Sequence, residues 1–363
     1  MNETLSTYTF LLGSGVSCAA KLPNVQKLSC VARAATTGTE ARLLEIIKDI
    51  SGATHGDGRD SYEDWFFVAD QIHQHEAGDF ENPALLPLME RLRCSLGMNN
   101  EEIKATAERL CVGIAATVRH ELSSSKACPD DAFEGLADAI KERGGSQFHF
   151  FSLNHDLVLE TWLQDQGVTA YTCLERHPES SAYKRVSFSR QSFETAPVSI
   201  IKLHGSLNWR RFRPKKNKKA PDKFRGEFLG IRHGEDSQFE QMEDDPRALI
   251  GTWNKIVQYS SPIFLPMLEQ FHRSLRGSSH LIVCGYGFGD KGINSLLIDW
   301  MCSKEEPRLI VIDPQPFHPS RCRRAVFDKF GVWQRDKRLE AIPRSVGIDD
   351  MTWAEILEKN DGR

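Results

Sequence analysis

The stretch Ile200-Ile201-Lys202-Leu203-His204-Gly205-Ser206 decides how this chain is read. A mostly apolar run of β-forming type carries a histidine to its C-terminal end and breaks at once into a Gly-Ser turn. In an open parallel α/β sheet, ligands bind outside the carboxyl ends of the strands. His204 is therefore expected at the edge where such folds do their chemistry. A histidine there is equally read alone as a packed or turn residue, so its company matters.

Upstream, Phe148-His149-Phe150-Phe151-Ser152-Leu153 is a short apolar run of buried-strand type, and it ends in Asn154-His155-Asp156 before an apolar helical stretch. Near the N-terminus, Tyr8-Thr9-Phe10-Leu11-Leu12 runs into Gly13-Ser14-Gly15-Val16-Ser17. Glycines in such a turn let a backbone approach a pyrophosphate closely. Toward the C-terminus, His280-Leu281-Ile282-Val283-Cys284 opens into Gly285-Tyr286-Gly287-Phe288-Gly289-Asp290, and Arg308-Leu309-Ile310-Val311-Ile312 ends in Asp313-Pro314. Five strand ends are thus expected on one polar edge, the pattern of a Rossmann-like parallel sheet flanked by helices.

The order of these motifs resembles the sirtuin family, and in particular its divergent bacterial branch of antiphage-defence proteins, of which the HerA-associated type is most similar. Gly13-Ser14-Gly15-Val16-Ser17 matches the family's Gly-Ala-Gly-x-Ser loop with Ser14 in place of Ala. Asn154 and Asp156 match its Asn-x-Asp pair, and His204, Gly205 and Ser206 its His-Gly-Ser turn. Gly285, Gly287 and Asp290 match the Gly-x-Ser-x-x-Asp loop of the divergent branch, with Gly287 replacing Ser, and Asp313 takes the place of the residue that holds the adenosine ribose. The resemblance covers roughly residues 7–25, 147–207 and 279–316. It implies NAD as the substrate, catalytic roles for Asn154, Asp156 and His204, and cofactor-binding roles for Gly13, Ser14, Gly15, Ser17, Gly285, Gly287, Asp290 and Asp313.

Residue types alone leave other readings open at each position. Gly13 and Gly15 also fit a plain strand-to-helix turn, Asn154 and Asp156 fit caps for the helix that holds Leu157 to Leu159, Asp290 fits the N-cap of a helix starting near Lys291, and Asp313 before Pro314 fits a turn.

With 363 residues, the chain is long enough for one large α/β domain and an inserted unit. The expected division is a sirtuin-like domain of residues 1–30 plus 146–363 and an inserted helical subdomain of residues 31–145. Helical periodicity in that insert is clearest from Glu101 to Leu122, where Ile103, Ala107, Leu110, Ile114 and Val118 recur at steps of three or four. Thr39–Ile50, Asp60–His73 and Asp131–Glu142 are further helical candidates. His73, His75 and Glu76 resemble a metal cluster on paper, but neighbours two apart do not share a helix face, and a solvated face is the expectation.

A net charge of −4 carries no global nucleic-acid signature. Locally, Trp209–Arg225 holds nine basic side chains against the single acid Asp222, followed by an acidic stretch over Glu235–Asp245. Part of a loop insertion spanning about 209–250, this segment is expected as a solvated loop, with nucleic-acid contact through 209–225 as the alternative and Trp209 and Phe212 available for stacking.

Nine scattered cysteines with no paired spacing fit a reducing, cytoplasmic compartment. No run has the length and apolarity of a membrane span, and the acidic Glu3 with no basic neighbour argues against a signal peptide. Deacylating sirtuins carry a four-cysteine zinc ribbon after the His-Gly-Ser turn, but this chain has no cysteine between Cys173 and Cys284, so no zinc is expected.

From the resemblance, the expected activity is NAD glycohydrolysis to nicotinamide and ADP-ribose, depleting NAD in antiphage defence. Two alternatives stand beside it: an NAD-dependent protein deacylase or ADP-ribosyltransferase using the same pocket, and a non-catalytic nucleotide-sensing module. No Walker-type motif is present. The resemblance therefore implies a homo-oligomer working with a separately encoded partner, a HerA-type ring ATPase or a comparable defence protein such as a short Argonaute.

Overall fold

A computed structural model describes residues 6–55, 61–77, 85–176, 182–215, 226–234, 238–242, 263–316, 322–344 and 352–360. They fall into two compact units: one takes in the described residues of 6–22, 126–242 and 263–360, the other those of 23–125.

The first unit is built on a six-stranded, wholly parallel sheet. Its strands are β1 (Thr7–Leu12), β2 (Gln147–Ser152), β5 (Val198–Lys202), β9 (His280–Cys284), β10 (Arg308–Ile312) and β11 (Leu339–Ile342), in the order β11-β10-β9-β1-β2-β5. These segments read as near-continuous apolar runs because both faces of such a sheet are covered. At its centre Tyr8 stacks on Phe148 at 4.9 Å and Phe10 on Phe150 at 4.7 Å. The fold class is thus α/β with a Rossmann-like parallel sheet flanked by helices. Pairing with β2 on one side of β1 and with β9 on the other makes the β1/β9 junction the point where strand order reverses. A crevice for a ligand belongs there, at the carboxyl ends.

Helices α1 (Ser14–Ala19), α7 (Asp130–Phe133), α8 (Leu136–Glu142), α9 (Val158–Asp165), α10 (Arg190–Thr195), α11 (Phe264–Gly277), α12 (Lys291–Ser303), α13 (Arg324–Arg335) and α14 (Trp353–Asn360) belong to the same unit. The expected helix over Asp131–Glu142 is two pieces, because Gly135 takes the left-handed conformation (φ 77°) between α7 and α8. Both pieces lie in the α/β unit and not in the helical one. Phe133 packs on Trp162 and Trp353, and the Trp353 indole donates to the Ala132 carbonyl at 3.2 Å.

The second unit holds α2 (Val25–Ala35), α3 (Gly38–His55), α4 (Tyr62–Ala77), α5 (Leu86–Leu96) and α6 (Asn100–Ser124). The α6 stripe of Ile103, Ala107, Leu110, Ile114 and Val118 is buried, as its spacing requires. Asn99 and Glu102 form a reciprocal capping box at its start, a motif that contributes about 1 kcal/mol. The side chains of His75 and Glu76 lie outside those described.

The region after α9 departs from expectation. Where a solvated loop insertion is expected over 209–250, β6 (Arg210–Pro214), β7 (Phe228–Arg232) and β8 (Phe239–Gln241) join β3 (Leu174–Arg176) and β4 (Tyr183–Val186) in a five-stranded sheet ordered β3-β4-β7-β6-β8, with antiparallel pairing throughout. Phe212 is 1% exposed in a cluster with Tyr183, Phe228 and Phe239, and Trp209 is 2% exposed against Phe264, so neither is offered for base stacking. Strand alternation explains this: Phe212 points inward while its neighbours Arg211 and Arg213 pair with Glu227 and with Glu240, the latter at 2.5 Å. Two of the basic side chains are thereby matched by acids of the same sheet. Residues 216–225 and most of the acidic stretch lie outside the described residues.

One buried residue makes the fold sensitive to acid. His149 on β2 sits beside Thr9 and Ser199 of the neighbouring strands, its ring 4.2 Å from that of Phe193, and neither ring nitrogen has a hydrogen-bond partner. Burial lowers its pKa from 6.5 to about 4. The unfolded chain therefore takes up a proton below pH 6.5 that the folded chain refuses until about pH 4, and stability falls as pH drops through that window. The loss reaches about 3 kcal/mol. His149→Leu is expected to narrow the difference in melting temperature between pH 7 and pH 4.5. An unchanged difference would mean that other groups carry the acid sensitivity.

Candidate functional site

All six strands of the large sheet run in parallel, so the segments after β1, β2, β5, β9 and β10 emerge on one edge. Asn154, Asp156, His204, Asp290 and Asp313 all lie there, together with both glycine loops.

The two glycine loops interlock. Gly13 N–H donates to the Cys284 carbonyl at 2.9 Å and Gly15 N–H to the Gly285 carbonyl at 2.8 Å. A Cβ at Gly13 would sit 2.6 Å from the Gly285 oxygen, and one at Gly285 would sit 2.5 Å from the Val16 nitrogen. Gly285 moreover adopts φ +61°. These glycines are required because two backbones touch at the β1/β9 crevice. The donors of Gly13 and Gly15 serve Cys284 and Gly285 at the end of β9. Ser14 is exposed at the start of α1.

Ser17 is tied to the end of β2. Its hydroxyl donates to Asp156 Oδ2 at 2.6 Å, while Asp156 Oδ1 accepts from Val158 N–H at 3.0 Å at the start of α9. Asp156 thus meets the first N–H of α9 from one residue ahead of the N-cap Leu157, and is also held by the first loop. Asn154 donates from Nδ2 to the Gly13 carbonyl at 2.9 Å, which ties the β2 end to the β1 loop. Cys18 records how the acids converge: burial raises its thiol pKa first, and the carboxylates of Asp156 and Asp313 add to the effect.

His204, 3% exposed, places Nε2 3.0 Å from Asp290 Oδ2. The other oxygen of Asp290 accepts from Ile293 N–H at 3.0 Å, the N-cap of α12, which favours the ionised carboxylate. Asp290 is therefore the partner of the histidine. A carboxylate there fixes the orientation of the imidazole ring.

Four further residues complete this arrangement. The Tyr286 hydroxyl accepts from Asp290 N–H at 3.1 Å and donates to Asn294 Oδ1 at 2.9 Å; burial, with the Asp290 charge adding, pushes its pKa well up. Asn294 Nδ2 bonds the carbonyl of Phe288, a buried aromatic held at φ +56°. Such a backbone costs about 1–3 kcal/mol and is kept only where the surroundings over-determine it. Lys202, 4% exposed, bonds the Asp156 carbonyl and pairs with Glu160 at 3.1 Å. A lysine inside an otherwise apolar strand was the signal for it. The glycine spacing drew attention away from Tyr286 and Phe288.

Asp313 accepts from Gln315 N–H at 2.8 Å, the plain turn that its sequence allows, and is buried at the same edge. Gly287 lies in the loop between Tyr286 and Phe288. Among the described residues, no group of three or more His, Cys, Asp or Glu side chains could hold a metal ion, and no helix is long and apolar enough to cross a membrane.

A family model described as a SIR2-like domain matches residues 149–342, just over half of the chain. That span contains Asn154, Asp156, His204, Gly285, Gly287, Asp290 and Asp313; the first glycine loop lies outside it. No curated protein matches the chain.

Proposed function

The chain belongs to the SIR2-like domain family, whose domains bind NAD, and from that premise we propose that it is an NAD glycohydrolase. The observation that carries this reading is the His204–Asp290 pair beside Asn154 and Asp156, on the edge where the strand order reverses. Gly13, Ser14, Gly15, Ser17, Gly285, Gly287 and Asp313 surround the proposed dinucleotide site, with Ser17 acting through Asp156.

In the proposed reaction the bond between C1′ of the ribose and the nicotinamide nitrogen breaks, and its electron pair leaves with neutral nicotinamide. Positive charge builds at C1′, where the Asp156 carboxylate stabilises it. Water adds to C1′, and His204 takes the proton directly or through a ribose hydroxyl, with Asp290 steadying the imidazolium. The products are nicotinamide, ADP-ribose and one proton. Asn154, fixed to the Gly13 carbonyl, orients water or the ribose.

The same reading places the chain in the cytoplasm, consistent with nine free cysteines, as a homo-oligomer that depletes NAD in antiphage defence under a HerA-type ring ATPase or comparable partner. The basic residues of 209–225 remain a proposed nucleic-acid contact, now without its stacking aromatics.

Incubation of the protein with NAD, alone and with its partner, tests the proposal. Nicotinamide and ADP-ribose are expected in equal amounts without any peptide. Release that strictly requires an acyl-lysine peptide makes the protein a deacylase, and NAD that binds without being cleaved under any activating condition makes it a sensor.

A further inference from the structure

The glycine-rich loop that follows β9 carries one hydroxyl whose place packing does not explain. Tyr286 packs on Phe288 with ring centroids 4.8 Å apart, and Phe288 meets Phe330 edge-on at 5.2 Å. Two of these three rings are phenylalanine, so filling this part of the core asks for no oxygen. The Tyr286 oxygen nevertheless lies 3.1 Å from Asp290 N and 2.9 Å from Asn294 Oδ1, and all three residues are buried.

The direction of each hydrogen bond is fixed by the next. The Phe288 carbonyl can only accept, so Asn294 turns Nδ2 to it at 2.8 Å and presents Oδ1 to Tyr286. The hydroxyl proton goes to that Oδ1, and the phenol oxygen accepts from Asp290 N–H. Burial pushes the phenol pKa well up and so keeps its proton in place. Asp290 is thereby held at three points: its N–H by Tyr286, Oδ1 by Ile293 N–H, and Oδ2 by His204 Nε2 at 3.0 Å. The segment before it is pinned as well, since Arg323 Nε donates to the Gly289 carbonyl at 2.6 Å and Arg323 N–H to that of Phe288 at 3.1 Å. Tyr286 also abuts the first glycine loop, where a Cβ at Gly13 would sit 2.6 Å from its Cα.

We propose that Tyr286 is a positioning residue for the His204–Asp290 pair: its hydroxyl, aimed by Asn294, sets the Asp290 backbone so that one carboxylate oxygen caps α12 and the other reaches His204. It acts through Asp290 and not on the substrate. The inference rests on the proposed NAD reaction for its kinetic consequence, and on the geometry of the pair alone for its spectroscopic one.

Tyr286→Phe deletes the hydroxyl and keeps the ring. In proton NMR spectra, the hydrogen-bonded imidazole N–H of His204 is expected downfield of the amides, identified by its loss in His204→Ala. Tyr286→Phe is expected to move this resonance upfield or to broaden it away by exchange with water. The kcat for nicotinamide release should fall about tenfold or more, while KM for NAD stays near its wild-type value. Asn294→Ala should act in the same direction to a smaller extent, because the hydroxyl can turn its proton to the Asp290 carbonyl 3.2 Å away and still accept from Asp290 N–H. A role in packing alone would lower the melting temperature and leave both readouts unmoved. Circular dichroism establishes that each variant is folded; if Tyr286→Phe is not, Asn294→Ala carries the test. A wild-type protein that never cleaves NAD defeats the proposed function and leaves the resonance to decide this inference. The proposal is overturned if the wild type lacks the resonance, if the folded variant keeps it at the wild-type position, or if an active wild type keeps its kcat in that variant.

Discussion

His204→Ala lowers the rate of nicotinamide release by about a hundredfold or more, the usual contribution of a positioned general base. The effect is expected in turnover and not in the fold, because Asp290 keeps its bond to Ile293 N–H at the head of α12 and Tyr286 still holds its backbone. Asp290→Asn offers the sharper comparison. Asparagine caps a helix as well as aspartate does, so α12 is retained. The amide no longer steadies the imidazolium, however, and a fall on the order of a hundredfold is expected. Steady-state assays of nicotinamide release, with circular dichroism as the control for folding, read both variants. Turnover at the wild-type rate in His204→Ala would remove the basis of the proposed mechanism.

Gly285→Ala is expected to be strongly damaging for a single methyl group. It places a Cβ 2.5 Å from the Val16 nitrogen, at a residue whose φ of +61° disfavours any side chain. Left-handed strain and overpacking together amount to about 2–4 kcal/mol. Gly13→Val belongs to the same class, since its side chain would collide with the Gly285 carbonyl and Tyr286. Both variants should lose melting temperature and NAD cleavage together, in contrast to His204→Ala. Normal thermal stability with NAD binding alone abolished would mean that Gly13 makes room for phosphate and not for the neighbouring loop.

The parallel sheet was legible in the sequence because its strands are buried on both faces and read as short apolar runs ending in polar or glycine-rich turns. Tyr8–Leu12, Phe148–Leu153 and His280–Cys284 all show this. The antiparallel sheet was not. Arg210-Arg211-Phe212-Arg213 does alternate, but its charge is that of a solvated loop, and its acidic partners, Glu227 just before β7 and Glu240 on β8, come close only after folding. Within the candidate site, residue types marked which strand ends matter. They could not distinguish residues that face a ligand from residues that hold one another, as Ser17 holds Asp156 and Asp290 holds His204, because that depends on distances between segments far apart in the chain.

The interlocked glycine loops also bear on when the protein becomes active during its own synthesis. Gly285 and Asp290, which complete the loop contact and orient His204, are synthesised long after Gly13 and Gly15. An unfinished or prematurely ended polypeptide can carry Asn154, Asp156 and His204 and still lack the half of the site that sets them in order. For an enzyme proposed to consume a cofactor its own cell depends on, contacts between distant parts of the chain act as a delay, withholding the chemistry until Gly285 and Asp290 have been made.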